Sequence, residues 1–404
     1  MSHLRFCIRC LLLILISLPF TSLQALTDEE ESPPPYYTKD SLNNNRFLLE
    51  DNVPLADKNY QKLREALPLY QYAALHPWPT IPDNNLLKRG ANNSAVPLLR
   101  ARLQASHDLS PTYYSFNNVF DEELVLAVKK FQQRHGLKAD GVVGQATRRE
   151  LNIPPSVRAQ QIAINMQRWA RLSSALHDRF IMVNVPDFKL YVFENNHEVL
   201  SMKAIVGKRD RQTPEIISRI TRLVLHPYWN VPRMIASKDI IPKVINDPYY
   251  LDDMHIRIFT VEGGDSVEMS PYEIDWETAQ KNGFQYFFRQ DPGDDNALGQ
   301  VKFEFPNSKH IYLHDTPAKE LFDADVRTFS SGCIRLENPF ALVDYLMKTN
   351  PKWDEIRLQD MLDTGETTYV KAARPTPIVI TYITAWVDEK GDIQFRDDVY
   401  GKDE

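Results

Sequence analysis

Cysteine is scarce in this sequence: three in 404 residues, with Cys7 and Cys10 inside the first ten positions. Those two lie in a stretch with basic Arg5 and Arg9, an apolar run over 11–20, and small Ala25 ahead of four consecutive acids. The run is too short to span a bilayer, so residues 1–25 read as an export leader. Once it is removed Cys333 is the one thiol left, which excludes an intramolecular disulfide. A lone thiol in an oxidising compartment needs a reason, either chemistry or inert packing as a small hydrophobe. Positive charge is also short. The net charge of −7 falls to −9 when Arg5 and Arg9 leave with no acid, so nucleic acid is not an expected partner. Nine of the ten histidines lack metal-ligand spacing with Cys or Glu, which argues against a zinc peptidase; no metal and no cofactor are expected.

With 43% hydrophobic and 25% charged residues, the remainder has the composition of a globular protein of several domains. Residues 26–86 form a flexible or helical extension: a Pro- and acid-rich tether to about 57, a helix near 60–74, then breaks at Pro77, Pro79 and Pro82. Residues 87–152 make a small module of three short helices. Val96, Leu99 and Leu103 recur at helical spacing, as do Leu124, Val128 and Phe131, with a stop at His135-Gly136 and a turn at Asp140-Gly141. Residues 153–177 read as a connector helix with Ile162, Asn165, Met166 and Trp169 on one face. From 178 to 404 the period changes to that of strands, over 180–185, 189–193, 199–206, 220–225, 301–305, 310–313 and 378–386. Such a series predicts a mainly antiparallel β domain. Between about 229 and 299 there are proline breaks and little strand periodicity, as expected of an inserted capping subdomain.

The chemistry concentrates between 311 and 336. A strand ending at His314 places an imidazole at a sheet edge, and Gly332 lets the backbone turn tightly before Cys333. A free thiol is mostly protonated at neutral pH, and a nearby imidazole can take its proton and later return one to a leaving amine. The expected catalytic pair is Cys333 with His314. Backbone N–H groups of Gly332 and Cys333 are the expected oxyanion donors. Orientation of the imidazole falls to Asp315 or to a nearby backbone carbonyl, with the Asp315 side chain expected on the opposite face of the strand. Tyr312, Ser331 and Arg335 are weaker candidates for substrate binding: Tyr312 either lines a groove or packs in the core, and Arg335 holds a carboxylate or pairs with a local acid. Lys203, Lys208, Arg209 and Arg211 form a basic cluster, either a receptor for an anionic peptide or a solvated loop.

His314-x-Thr316-Pro317 followed by Ser331-Gly332-Cys333-x-Arg335 resembles the signature of the L,D-transpeptidases. Residues 229–232 (Trp-Asn-Val-Pro), 296–299 (Asn-Ala-Leu-Gly) and Lys302-Phe303 resemble blocks of the larger, lid-bearing members from diderm bacteria. Residues 127–137, with Asp140-Gly141-Val142-Val143-Gly144 and Thr147, resemble the peptidoglycan-binding domain of wall enzymes. The resemblance implies a three-helix wall-binding domain before a catalytic domain with an inserted cap, a Cys-His site without metal, and a periplasmic location. It implies tetrapeptide stems of peptidoglycan as donor and acceptor, release of D-alanine through a thioester, and carbapenems as covalent inhibitors. A lipoprotein lysine or water are the other acceptors, and a catalytically silent wall-binding scaffold is the alternative of another class.

Overall fold

The computed structural model describes residues 54–82, 86–113, 117–176 and 178–404. The leader and nearly all of the tether lie outside them.

Five helices precede the β domain: α1 (Leu55–Leu75), α2 (Val96–Ala105), α3 (Glu122–Arg134), α4 (Gln145–Leu151) and α5 (Pro155–Leu172). The middle three form the small module around Leu99, Leu103, Leu124, Val128, Phe131, Val143 and Leu151. Asp121 caps α3 by accepting from the Leu124 N–H at 3.0 Å. Buried Gln132 donates to Asp140, to the Val142 carbonyl and to Thr147, and accepts from the Gly141 N–H at 2.8 Å. The Gln, Asp-Gly and Thr of the wall-binding signature therefore brace the turn between α3 and α4.

The connector reading of 153–177 needs correction. Helix α5 packs along α1, and together they bury Trp169, Ile162, Leu172 and Leu63 against Phe180, Met182, Val379, Ala385 and Phe395 of the β domain. Asn165, fully buried, is saturated by Thr384 and by the Gln161 carbonyl. The α1–α5 pair is thus one wall of the β-domain core. The module is attached as firmly: Arg134 pairs with Asp108 at 2.7 Å and donates to the Ile393 carbonyl at 2.7 Å, while His135 lies between the rings of Phe131 and Phe395.

The β domain runs β1 (Arg179–Asn184), β2 (Lys189–Glu194), β3 (His197–Gly207), β4 (Ile216–Leu225), then the insertion with β5 (Trp229–Asn230), β6 (Ile256–Glu262), β7 (Asp265–Met269) and β8 (Phe287–Gln290). It continues with β9 (Val301–Glu304), β10 (Leu313–His314), β11 (Thr328–Ser330), β12 (Ile334–Leu336), β13 (Thr368–Thr381), β14 (Ala385–Val387) and β15 (Ile393–Phe395). Nine strands form the main sheet in the order β11-β3-β12-β10-β9-β4-β13-β1-β2, and a β2–β3 pairing closes it on itself. Most pairs are antiparallel; β1–β13, β10–β12 and β11–β3 are parallel. One core fills the interior, built on Val183, Leu190, Leu223, Phe303, Leu313, Ile334 and Ile378.

The insertion is a subdomain with its own core of Ile240, Ile241, Leu251, Ile258, Phe284 and Phe288. It carries a four-stranded sheet, β5-β8-β6-β7, where little strand character was expected. The reason is exposure: β7 has no buried position and the end of β6 stands in solvent, so alternation leaves no hydrophobic trace. The strand expected over 378–386 is two, β13 and β14, and β13 starts ten residues earlier, absorbing Arg374-Pro375 at a register shift between Lys371 and Thr376.

Trp169→Ala should lower the stability of the β domain by about 3–5 kcal/mol, read as a drop in the urea midpoint of the near-ultraviolet transition. An unchanged midpoint would restore α5 to the role of a connector.

Candidate active site

Strand β10 is only two residues long, but its register sets the site. It pairs in parallel with β12, Leu313 beside Ile334 and His314 beside Arg335, and antiparallel with β9, His314 beside Lys302. Leu313, Ile334 and Leu336 point into the core. Alternation sends Tyr312, His314, Cys333 and Arg335 to the other face. There they line a cavity of about 770 Å³ whose opposite wall is the insertion: Trp229, Met234, Ile235, Lys238, Asp239, Tyr250 and neighbours. Tyr312 is half-buried and lines that cavity.

Gly332 has φ +117°, a conformation that an L side chain resists. Ser330 Oγ bridges the turn, donating to the Cys333 carbonyl at 2.5 Å and accepting from the Gly332 N–H at 3.1 Å. That second bond corrects one expectation: the Gly332 N–H is engaged within the turn and does not point at the cavity. The Cys333 N–H has no intramolecular partner among the described residues. Thr213 Oγ1 donates to the Gly332 carbonyl at 2.8 Å and so fixes the peptide unit that carries that N–H.

His314 is 4% exposed, and its Nδ1 lies 2.5 Å from the Asp315 carbonyl. A carbonyl only accepts, so Nδ1 carries the hydrogen and Nε2 keeps its lone pair. The Asp315 side chain is turned away, accepting from the Gln300 N–H at 3.0 Å and from Lys319 at 2.7 Å. Gly299, at φ +59°, makes room for that carboxylate, which any Cβ there would overlap. Glycine at the end of the Asn296–Gly299 block thus serves the residue beside the histidine.

Burial, followed by the positive charges of Arg335 and Lys302, pushes His314 down to about 3 against a weaker upward pull from the Asp315 carbonyl. Burial also pushes the Cys333 thiol up, despite hydrogen bonds from Tyr312 and the nearby Lys302 and Arg335. Both groups are therefore neutral near pH 7. The thiol faces the His310 carbonyl at 3.9 Å; no hydrogen bond joins it to His314, although both line one cavity, and such contacts often form only with substrate.

Arg335 has no acidic partner among the described residues, and its buried Nε is unsatisfied; of its two readings, the local ion pair is absent. Ser331 Oγ accepts from Arg211 at 2.9 Å. The basic cluster divides: Lys203 pairs with Glu337, Arg209 lies by Gly401, Lys208 lines the cavity, and Arg211 pairs with Asp239. Lys208, Lys238, Lys243, Lys309 and Arg335 face the cavity against one acid, Asp239. Asp239 had no signal in the sequence. Trp229, which lines the same cavity as Tyr312, and Lys302, over the Tyr312 ring at 4.4 Å, belong to the Trp-Asn-Val-Pro and Lys302-Phe303 blocks, for which the sequence gives no role.

Residues 178–380 match the profile of the YkuD family, the L,D-transpeptidase catalytic domain. Residues 92–151 match a domain family described as peptidoglycan binding. A Haemophilus influenzae protein assigned by name to the L,D-transpeptidases is 37% identical over 257 residues, 64% of this chain and 50% of that protein. This chain thus spans about half the length of that curated relative. Among solved structures, an L,D-transpeptidase from Stackebrandtia nassauensis aligns at 12% identity over 75% of this chain and 96% of its own, with a TM-score of 0.27. One from Mycobacterium smegmatis aligns at 13% over 50% and 58%, with a TM-score of 0.24.

With a neutral thiol and a neutral imidazole, alkylation of Cys333 by iodoacetamide should keep rising with pH past 9, with no plateau between pH 5 and 7. Such a plateau would instead mark a preformed thiolate–imidazolium pair. The depressed His314 also sets acid stability. Its folded value near 3 lies below the ordinary 6.5, so the unfolded chain binds the extra proton between these values. His314 should then withdraw stability progressively as pH falls from about 6.5 to 3, by up to ~5 kcal/mol. His314→Gln should flatten that part of the stability–pH curve, and an identical curve would contradict the burial argument.

Proposed function

The chain belongs to the L,D-transpeptidase family, and from that premise we propose that it joins peptidoglycan stem peptides through a thioester on Cys333, in the periplasm to which its leader would direct it. The observation that supports this reading is the placement of Cys333 and a neutral His314 on one wall of a cavity with cationic sides.

In the donor step the free Nε2 of His314 takes the thiol proton as the sulfur attacks the carbonyl of the third residue of a tetrapeptide stem. The oxyanion receives the Cys333 N–H. The Tyr312 hydroxyl, whose one proton is directed at the Cys333 sulfur at rest, is the second donor, released to the oxyanion as the sulfur bonds carbon. His314 passes its proton to the amine of the departing D-alanine, and the thioester remains. The amine of a second stem then attacks, His314 takes its proton, and the thiol is restored as the cross-link forms. Burial makes the imidazole a weak base, which suits it to return the proton readily to the leaving amine. Lys208, Lys238, Lys243 and Arg335 would hold stem carboxylates, with Arg335 Nε ready for a partner. Wall attachment through residues 92–151 rests on the family match, since the signature residues themselves brace the module.

Incubation with tetrapeptide muropeptides should yield cross-linked dimers and free D-alanine, and Cys333→Ala should abolish both while leaving the folded state intact. Dimer formation by the alanine variant would remove the thiol from the reaction. A carbapenem, as a strained amide that forms a slow-leaving acyl group, should leave one adduct on Cys333. Recovery of the same adduct from Cys333→Ala would place acylation elsewhere.

A further inference from the structure

Arg211 touches both walls of the cleft without facing the reacting atoms. It lies on the loop after β3, and its side chain is 10% exposed. One terminal nitrogen donates to Ser331 Oγ at 2.9 Å and also to Asp239; the other donates to the second oxygen of Asp239 at 3.0 Å. Ser331 stands two residues before Cys333, on the sheet side. Asp239 stands on the insertion, in a π-helical turn over Ala236–Ile240, a conformation found mostly as single turns at functional positions.

Thr213 and Gly207 tie that loop to the sheet side, while Lys208 lines the cleft near Asp239 without a hydrogen bond to it among the described residues. Thr213 holds the Gly332 carbonyl at 2.8 Å and accepts from the Gly207 N–H at 2.8 Å, and Tyr400 bonds Gly207 and Thr213 at 2.6 and 3.2 Å. Arg211 carries the connection from this floor to the insertion. A guanidinium gripped on both arms by a carboxylate has its plane fixed, so its third contact, to Ser331, is fixed in direction as well. Without Asp239 the side chain regains its rotamers and the Ser331 contact becomes one of several.

We propose that Arg211 is a positioning residue that couples the capping subdomain to the nucleophile turn: with Asp239 seated over it, Arg211 locks Ser331 and with it the Gly332–Cys333 peptide unit. The turn is then in its reactive geometry when the cap lies over the cleft. This rests on the reading of Cys333 as nucleophile, and its effect is on the acylation step more than on donor binding.

The test uses the full chain without its leader, as wild type, Arg211→Gln, Asp239→Asn and the double variant. Amide hydrogen exchange over 330–333 and the concentration dependence of carbapenem acylation are measured on each. Either single change should speed exchange in the turn and lower the maximal acylation rate about fivefold, with little change in the half-saturating concentration, and the double should match the stronger single. Arg211→Lys should behave as Arg211→Gln, because a lysine keeps the charge and loses the fork. Unchanged exchange in Asp239→Asn, or effects that multiply in the double variant, would overturn the coupling. Should Arg211→Gln fold poorly, Asp239→Asn on the cap surface carries the test. A wild type that forms no acyl-enzyme would refute the function reading, while the exchange data would still decide the coupling.

Discussion

The site depends on two residue pairs of a parallel ladder, Leu313 with Ile334 and His314 with Arg335. Because side chains alternate along a strand, a slip of one residue in either segment would send His314 or Cys333 into the core and bring Leu313 or Ile334 into the cavity. The burial of Leu313, Ile334 and Leu336, each at 0% exposure, is what makes that slip costly. Three apolar side chains thus fix the positions of four polar ones. The turn before Cys333 is held by the same economy of parts: a glycine with positive φ, the Ser330 hydroxyl on both sides of it, and Thr213 beneath.

Enclosure gives the site its electrical character. Burial keeps His314 and Cys333 uncharged, and Arg335 and Lys302 reinforce the neutral imidazole. A resting thiolate would be held in such a place only at a large desolvation cost. Proton transfer coupled to attack would avoid that cost, and a neutral Cys333 thiol is less open to oxidation than a thiolate. The cationic cavity wall favours an anionic ligand.

Much of this was legible before any coordinates. Alternation around 180–193 and 301–313 is that of the strands that form, and the segment holding His314, Gly332 and Cys333 is the one that lines the cavity. Other features leave no trace in the sequence, for physical reasons. Tertiary burial of α5 could not be told from an ordinary amphipathic helix, because Ile162, Asn165 and Trp169 on one face serve either role. The strands of the insertion stand largely in solvent and lack a hydrophobic period. The Gly332 N–H donates to the Ser330 hydroxyl, a contact inside the turn that spacing along the chain does not reveal. Asp239 meets Arg211 from an insertion more than ninety residues of chain from Cys333, and one acid in a polar insertion carries no local signal.

The central claim is that Cys333 becomes acylated by a stem peptide under the cap. Rapid quenching of the enzyme with a tetrapeptide donor, followed by intact-protein mass spectrometry and digestion, tests it most directly. The account predicts a mass gain equal to the donor less one alanine, carried on the peptide that contains Cys333 and absent from His314→Ala at short times. A donor that turns over with no mass on Cys333, or one found on another residue, would contradict it.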